Sequence, residues 1–272
     1  MKLWNTARIK ASKGEQKIPC VTVYDFAFAR LADEAGIPLL LVGDSLGMAM
    51  LGHASTLPVT MDMMVHHTAA VARAAKNAVV LADMPFLSYQ ASLEEGLRNA
   101  GRFLQEAGAE AIKIEGGAFR AGLVEALTLN GIPVVGHIGL TPQSVHVLGG
   151  FKVQGRTREA GEQLVADAQA LAGAGAFAIV LECVPPDIAA AVTAAAPVPV
   201  IGIGAGPACD GQVLVMHDLL GLSENAPPKF VKPYAALAKT VGEAFRAYAA
   251  DVQSGAFPGP EHCYAPVEAS AP

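Results

Sequence analysis

The chain has 272 residues, of which 52% are hydrophobic and 16% charged, and its formal net charge is −6. This composition excludes a disordered protein, and the scattered Lys and Arg residues argue against a nucleic-acid partner. The four cysteines have no metal-finger or disulfide-framework spacing, so we expect reduced thiols in a cytoplasmic protein. The charged N-terminus does not have the pattern of a secretory signal. Pro and Gly interrupt the uncharged stretch 188–209, so we expect no membrane span.

Short aliphatic runs recur along the chain, and most precede a segment with helical periodicity. The predicted strands are Ile18–Asp25, Ile37–Ser45, Ala78–Pro85, Ala111–Gly117, Pro133–Leu140, Ala176–Val184, Pro199–Gly206 and Gly211–Leu220. The predicted helices between them are Phe26–Ala35, Thr60–Lys76, Ser92–Glu106, Phe119–Leu129, Arg158–Ala174 and Pro186–Ala195. Continuous apolar runs are typical of parallel strands buried on both faces. About eight such units predict a single (β/α)8 TIM barrel of the α/β class, with an open doubly wound sheet as second choice.

The two ends of the chain fall outside the repeating pattern. Residues 1–253 are predicted to form the barrel domain, with an extra segment before the first strand and a final helix over Pro233–Val252. Residues 254–272 are rich in Pro, Gly, Ala and Ser and are predicted to be a flexible tail. The connection Pro207–Asp210 is too short for a full helix, so we expect an irregular seventh unit.

Polar residues interrupt the predicted strands close to their carboxyl ends, where TIM barrels carry their chemistry. They are Asp44, Ser45, Asp83, Lys113, Glu115, His137 and Glu182. Lys113 and Glu115 are two residues apart, so both point to the same face of a strand. Because charges inside an apolar barrel must be paired or coordinate a metal, the pattern favours a functional cluster.

Three of these carboxylates can converge on one point, because Asp44, Asp83 and Glu115 come from adjacent predicted strands. An oxygen-only donor set favours Mg²⁺ or a similar hard cation over zinc.

Each polar residue also has a simpler interpretation. Asp44 could cap the following helix, and Asp83 could be a turn residue. Lys113 and Glu115 could form a structural ion pair, and His137 could be a core histidine. One acidic group at each of four strand ends nevertheless favours the functional interpretation.

Several long motifs resemble those of the ketopantoate (3-methyl-2-oxobutanoate) hydroxymethyltransferase family. They are VGDSLGMAMLGHASTLPVTMDMM, ADMPFLSY, AIKIEGG, GHIGLTPQSVHVLGGFKVQGRT and PVIGIGAGPACDGQVLVMHDLLGL. The resemblance covers most of the chain. It departs from the family pattern at Ala54, where an acidic residue is expected in GHDST.

The resemblance implies an enzyme of pantothenate biosynthesis. This enzyme would add a one-carbon unit from 5,10-methylenetetrahydrofolate to C3 of 3-methyl-2-oxobutanoate and give 2-dehydropantoate. It implies one Mg²⁺ per subunit, held by Asp44, Asp83 and Glu115, and substrate contacts from Asp44, Ser45, Asp83 and Lys113. Glu182 is implied as the proton acceptor, Lys113 as an electrostatic catalyst, and His137 is a possible accessory residue. The resemblance also implies a homodecamer.

Three other functions remain open at this stage. The closest is a Mg-dependent 2-oxo acid lyase or mutase of the phosphoenolpyruvate mutase and isocitrate lyase type, which needs no folate. A Schiff-base aldolase would use Lys113 as nucleophile. A binding-only barrel would hold a 2-oxo acid without turning it over.

Overall fold

The computed structural model of the protein describes residues 2–223 and 226–265. The described residues form two compact units: one comprises residues 2–216 and 228–231, and the other comprises residues 217–223, 226–227 and 232–265. Within the described ranges, no helix is both long and apolar enough to cross a bilayer.

The first unit contains a closed barrel of eight strands, ordered as in the chain. The strands are β1 (Ile18–Thr22), β2 (Leu39–Val42), β3 (Val79–Asp83), β4 (Ala111–Glu115), β5 (Val134–Gly139), β6 (Ala178–Glu182), β7 (Val200–Ile203) and β8 (Gly211–Leu214). All neighbours pair in parallel, and β8 pairs with β1 to close the ring. The predicted (β/α)8 barrel is confirmed.

Helices follow most of the strands. They are α1 (Thr6–Ala11), α2 (Phe26–Glu34), α3 (Leu46–Ala49), α4 (Met61–Ala74), α5 (Leu93–Gln105), α6 (Ala121–Leu129), α7 (Val145–Leu148), α8 (Arg158–Gly173), α9 (Pro186–Ala195), α10 (Met216–Leu219) and α11 (Leu237–Ser254). Side-chain caps fix several starts: Thr60 accepts a hydrogen bond from Met63 N and Thr157 from Ala160 N. The β7–β8 connection has no helix, as its length predicted.

The last predicted strand was too long. Pairing in β8 stops at Leu214, and α10 takes the residues from Met216 onward. The final helix lies over Leu237–Ser254, shifted slightly from the predicted range. In the expected tail, Phe257 contacts the rings of Tyr248 and His262. Residues 266–272 lie outside the described residues, and the flexible tail stays a prediction.

The barrel interior is apolar through most of its depth. Its buried cluster includes Leu39 and Leu41 of β2, Val79 and Leu81 of β3, and Ile9 of α1. Alternate residues of a strand share a face, so Asp83 of β3 points into the barrel on the same side as Leu81. In β4, Lys113 and Glu115 point inward on the same side as Ala111. The polar residues therefore occupy the last inward positions of the strands.

Candidate active site

Strand register brings the predicted polar residues together at the carboxyl ends of β3 to β6. Asp83 is the direct partner of Lys113, and Glu115 is the partner of His137. Glu182 is the last residue of β6 and pairs with Gly139 at the end of β5. The resulting cluster contains one cation and several acids, nearly all buried.

Lys113 lies at the centre of this cluster. Its Nζ is 2.8 Å from Asp83 Oδ1, 3.8 Å from Glu115 Oε1 and 3.2 Å from His137 Nδ1. Burial alone would lower the pKa of Lys113, but the surrounding carboxylates outweigh it and raise the pKa above its usual value. Lys113 is therefore held as an ammonium ion, which disfavours the Schiff-base alternative.

The acids of the cluster are in different electrostatic environments, which shift their pKa values in different directions. Burial, followed by repulsion from Asp83 and Glu115, raises the pKa of Asp44 well above its usual value. Burial also raises the pKa of Asp83, although Lys113 opposes it. For Glu115, His137 and Lys113 outweigh the effect of burial and lower the pKa. Three acids share one ammonium ion, so the site favours a further cation.

The donor chemistry of the cluster fits a hard divalent cation. Oε1 of Glu115 is buried without a hydrogen-bond donor in suitable geometry among the described residues, and Oδ1 of Asp83 has only the ion pair with Lys113. Oxygen donors of this kind suit Mg²⁺. The chemistry of the donors therefore fits the ion. In the ranges 2–223 and 226–265, however, no group of three or more acidic, His or Cys side chains is already arranged as a metal site.

His137 connects the buried acids to Glu182. Its Nδ1 is 3.4 Å from Glu115 Oε1, and its Nε2 is 3.2 Å from Glu182 Oε2. Burial and Lys113 lower the pKa of His137, but Glu115 and Glu182 outweigh them and raise it. The side chain of Glu182 is 17% exposed, against 3% for Glu115. Of these two carboxylates, Glu182 is therefore the one that a bound molecule reaches more easily.

Asp44 and Ser45 follow β2. Asp44 does not cap α3, because Ser45 occupies the cap position and no side chain there accepts a capping bond. Instead, Asp44 N donates to Asp83 Oδ2 at 3.1 Å. Ser45 Oγ lies 2.9 Å from the hydroxyl of Tyr24, which joins it to β1. Ala54 is an exposed residue of the connection between α3 and α4.

Gln143 is a member of the site that sequence reasoning missed. Its side-chain amide donates to Asp44 Oδ2 and to the Met84 carbonyl, both at 2.9 Å, and its backbone N–H donates to Glu115 Oε2 at 3.0 Å. Its carbonyl oxygen accepts a bond from the Tyr89 hydroxyl at 2.8 Å. Gln143 is buried in a 3₁₀ turn after β5. The only sequence signal was its place four residues after the end of β5, the strand that carries His137.

Comparisons with known proteins agree with the motifs. The sequence profile described as ketopantoate hydroxymethyltransferase matches residues 4–260. The chain is 58% identical over 263 residues to the 3-methyl-2-oxobutanoate hydroxymethyltransferase of Syntrophobacter fumaroxidans, covering 97% of this chain and 93% of the relative. It is 57% identical over 249 residues to the protein of that name from Moorella thermoacetica, covering 92% and 93%.

Solved structures of lower identity share the fold. A phosphonopyruvate hydrolase complexed with oxalate and Mg²⁺ superposes with a TM-score of 0.62 at 16% identity, covering 96% of this chain and 93% of that one. The 2,3-dimethylmalate lyase of the phosphoenolpyruvate mutase and isocitrate lyase superfamily superposes with a TM-score of 0.59 at 18% identity, covering 92% of this chain and 88% of that one.

Proposed function

The chain belongs to the ketopantoate hydroxymethyltransferase family, and we propose that it transfers a one-carbon unit from 5,10-methylenetetrahydrofolate to C3 of 3-methyl-2-oxobutanoate. The product would be 2-dehydropantoate, a precursor of pantothenate. The observation that carries this proposal is the buried cluster of Asp44, Asp83, Lys113 and Glu115 at the mouth of the barrel, which His137 connects to Glu182. A cytoplasmic homodecamer is part of the same proposal and rests on the family resemblance.

Asp44, Asp83 and Glu115 are the residues that would hold a divalent metal ion. Such an ion, when bound, supplies Lewis acidity that makes the C3–H bond of the 2-oxo acid more acidic.

The chain's own residues would orient the oxo acid and remove its proton. Ser45, with its backbone N–H, would hold the substrate carboxylate, and Asp44 and Asp83 would contact the substrate nearby. Lys113 would place a fixed positive charge beside the negative charge that develops on the keto oxygen. Glu182 would accept the C3 proton, with its carboxylate oriented by His137 at 3.2 Å. Water would add to the methylene carbon of the donor and both carbon–nitrogen bonds would break, so that the two nitrogens keep the protons of the water as tetrahydrofolate and the one-carbon unit is released as formaldehyde. The C3 carbanion equivalent would attack the formaldehyde carbon and form the new carbon–carbon bond. The resulting alkoxide would take back the proton held by Glu182 and become the hydroxyl group of the product.

Solved structures of the phosphoenolpyruvate mutase and isocitrate lyase type share the fold, as the alternative of a folate-independent lyase or mutase would require. That likeness is at 16–19% identity and concerns the architecture alone. Omission of the folate donor separates the two functions, because only the transferase stops.

The first test follows loss of the C3 proton of 3-methyl-2-oxobutanoate by NMR in D₂O, with and without Mg²⁺ and before any folate is added. We expect exchange that depends on the metal. Exchange under neither condition would contradict the roles of Glu182 and of the carboxylates, and would favour a binding-only barrel. Subsequent addition of the donor should convert the exchanging oxo acid to its hydroxymethyl product.

A further inference from the structure

A cavity of about 450 Å³ adjoins the acidic cluster on the side of β4 and β5. Glu115 and Gln143 line both the cavity and the cluster, so the two are continuous. Exposed apolar groups, including Phe119 and Val147, form the outer part of its lining. Its size and its mainly apolar surface, interspersed with polar side chains, are typical of a binding site for a small organic molecule.

Arg120 is the only positively charged side chain that lines this cavity in the described part of the chain. Its guanidinium carbon lies 5.2 Å from the ring centre of Tyr89 and 5.1 Å from that of Phe119. Its Nε is buried without a hydrogen-bond partner, and no carboxylate of the described residues forms an ion pair with it. A guanidinium with an unpaired buried donor is unfavourable unless an acceptor binds to it.

The backbone before Arg120 is shaped to turn these side chains toward the cavity. Gly116 has a φ of +125°, and a Cβ atom there would lie 2.7 Å from Arg120 Cγ and from Phe119 Cζ. A residue with a side chain would therefore displace both groups. The neighbouring acid of the cavity, Asp167, is already engaged, since its Oδ1 accepts bonds from Ala118 N and Gln163 Nε2 at 2.8 and 3.0 Å.

We propose that this cavity binds the one-carbon donor, with Arg120 pairing a carboxylate of its glutamyl end. This inference rests on the proposed function and assigns the donor's binding site within it. A planar guanidinium held against aromatic rings is suited to bidentate recognition of a carboxylate. The exposed ring of Phe119 offers an apolar face to the flat aromatic part of the same molecule. A carboxylate could also come from the 2-oxo acid, and the experiment separates the two sources.

The experiment measures initial rates of hydroxymethyl transfer while each substrate is varied in turn. Arg120→Gln should raise KM for 5,10-methylenetetrahydrofolate by about tenfold or more, because a charge-assisted bidentate pair is lost. KM for the oxo acid should stay within about twofold of the wild-type value, a margin well below the effect of losing a charged pair. Arg120→Lys keeps the charge without the planar fork and should give an intermediate KM for the donor. Arg98→Gln is the matched control, since Arg98 is an exposed arginine paired with Glu94 on α5.

A second measurement uses the unaltered protein and a donor whose two glutamyl carboxylates are converted to amides. The wild type should bind this analogue more weakly than the natural donor, by about the factor by which Arg120→Gln weakens binding of the natural donor. In Arg120→Gln, replacing the natural donor by the analogue should have little further effect. This arm remains decisive if the variant does not fold.

An unchanged donor KM in Arg120→Gln, equal use of both donors by the wild type, or a rise confined to KM of the oxo acid would each overturn the inference. Metal-dependent C3 exchange is recorded in the same wild-type preparation and needs no donor. Its absence would refute the proposed function, whereas its presence with any of these three results would refute only the assignment of the cavity.

Discussion

Glu182 is the residue whose replacement separates proton removal from binding. Glu182→Gln keeps the size and most of the polar character of the side chain but removes the base. We expect C3 exchange to fall by about 10²–10⁴-fold, the usual contribution of a positioned general base. Binding of the oxo acid, followed by calorimetry in the presence of Mg²⁺, should persist because the proposed metal and substrate contacts remain.

The matched control for this variant is Glu162→Gln, which alters an exposed glutamate paired with Arg158 on α8. Exchange by the control should equal that of the wild type. Exchange by Glu182→Gln within a few-fold of the wild-type rate would show that another group removes the proton.

Replacing Gln143 tests whether the buried acids depend on hydrogen bonds from a neutral side chain. In Gln143→Met, Asp44 Oδ2, the Met84 carbonyl and the Tyr89 hydroxyl each lose a partner inside the protein. Unsatisfied buried groups cost roughly 1–3 kcal/mol each, so the free energy of unfolding should fall by about 2 kcal/mol or more. Urea unfolding measures this change, and the rate of C3 exchange should fall as well because Asp44 loses its orientation.

Gln105→Met on α5 is the control for the loss of an amide, because Gln105 is exposed. If Gln143→Met were as stable and as active as this control, the network around Gln143 would have no part in organising the site.

The connection between α4 and β3 depends on one acidic side chain of α2. Asp33 is buried and accepts bonds from the backbone N–H groups of Lys76, Asn77 and Ala78, and from the side chain of Asn77. Burial raises the pKa of Asp33, but these hydrogen bonds outweigh it and lower the pKa below its usual value. An acid with a lowered folded-state pKa stabilises the fold above its unfolded pKa, and this contribution is lost as the pH falls through the folded value.

Asp33→Asn should therefore lower the free energy of unfolding at pH 7 by about 1–2 kcal/mol, since hydrogen bonds to a charged acceptor are replaced by bonds to a neutral one. The difference between variant and wild type should shrink as the pH falls below about 3.9, the usual pKa of an aspartate. Urea unfolding at a series of pH values measures this difference. A difference that does not depend on pH would contradict the role of the charge.

At the level of elements, periodicity identified the strands but not their ends. The predicted runs included flanking aliphatic residues that do not pair, as in the run that continued to Leu220 although β8 stops at Leu214. The charged residues could be placed because Lys113 and Glu115 stand two apart on a strand, where spacing fixes the direction of the side chain. Gln143 and Arg120 could not be placed in this way. Both lie in 3₁₀ turns. Their contacts come from several different loops, and in a turn the sequence spacing does not fix the direction of a side chain.

The ring of strands closes beside a gap in the surrounding layer of helices, between β7 and β8. No helix joins β7 to β8, and the register of this pair links only Ile201 with Gly211 and Gly202 with Gln212. Asp210 reinforces this closure. Its Oδ2 accepts a bond from Val200 N at 2.9 Å and pairs with Lys13 at 2.7 Å, and its Oδ1 accepts a bond from Gly14 N. One carboxylate thus ties the segment before β1 to the start of both final strands.

Asp210→Ala should therefore destabilise the whole barrel and not only one connection. The side chain of Asp210 is 8% exposed and that of Lys13 24% exposed, so the pair is shielded from solvent far better than a surface pair. Breaking a buried pair costs about 3–5 kcal/mol, and we expect the lower end of this range because Lys13 keeps some contact with water. Asp62→Ala breaks the pair with Arg102, in which Asp62 is 86% exposed, and should cost less than about 1 kcal/mol. Urea unfolding followed by far-ultraviolet circular dichroism compares the two variants. Equal stability would mean that the barrel closes through its strand pairing alone, whereas the expected gap would show that closure depends on the segment before the first strand.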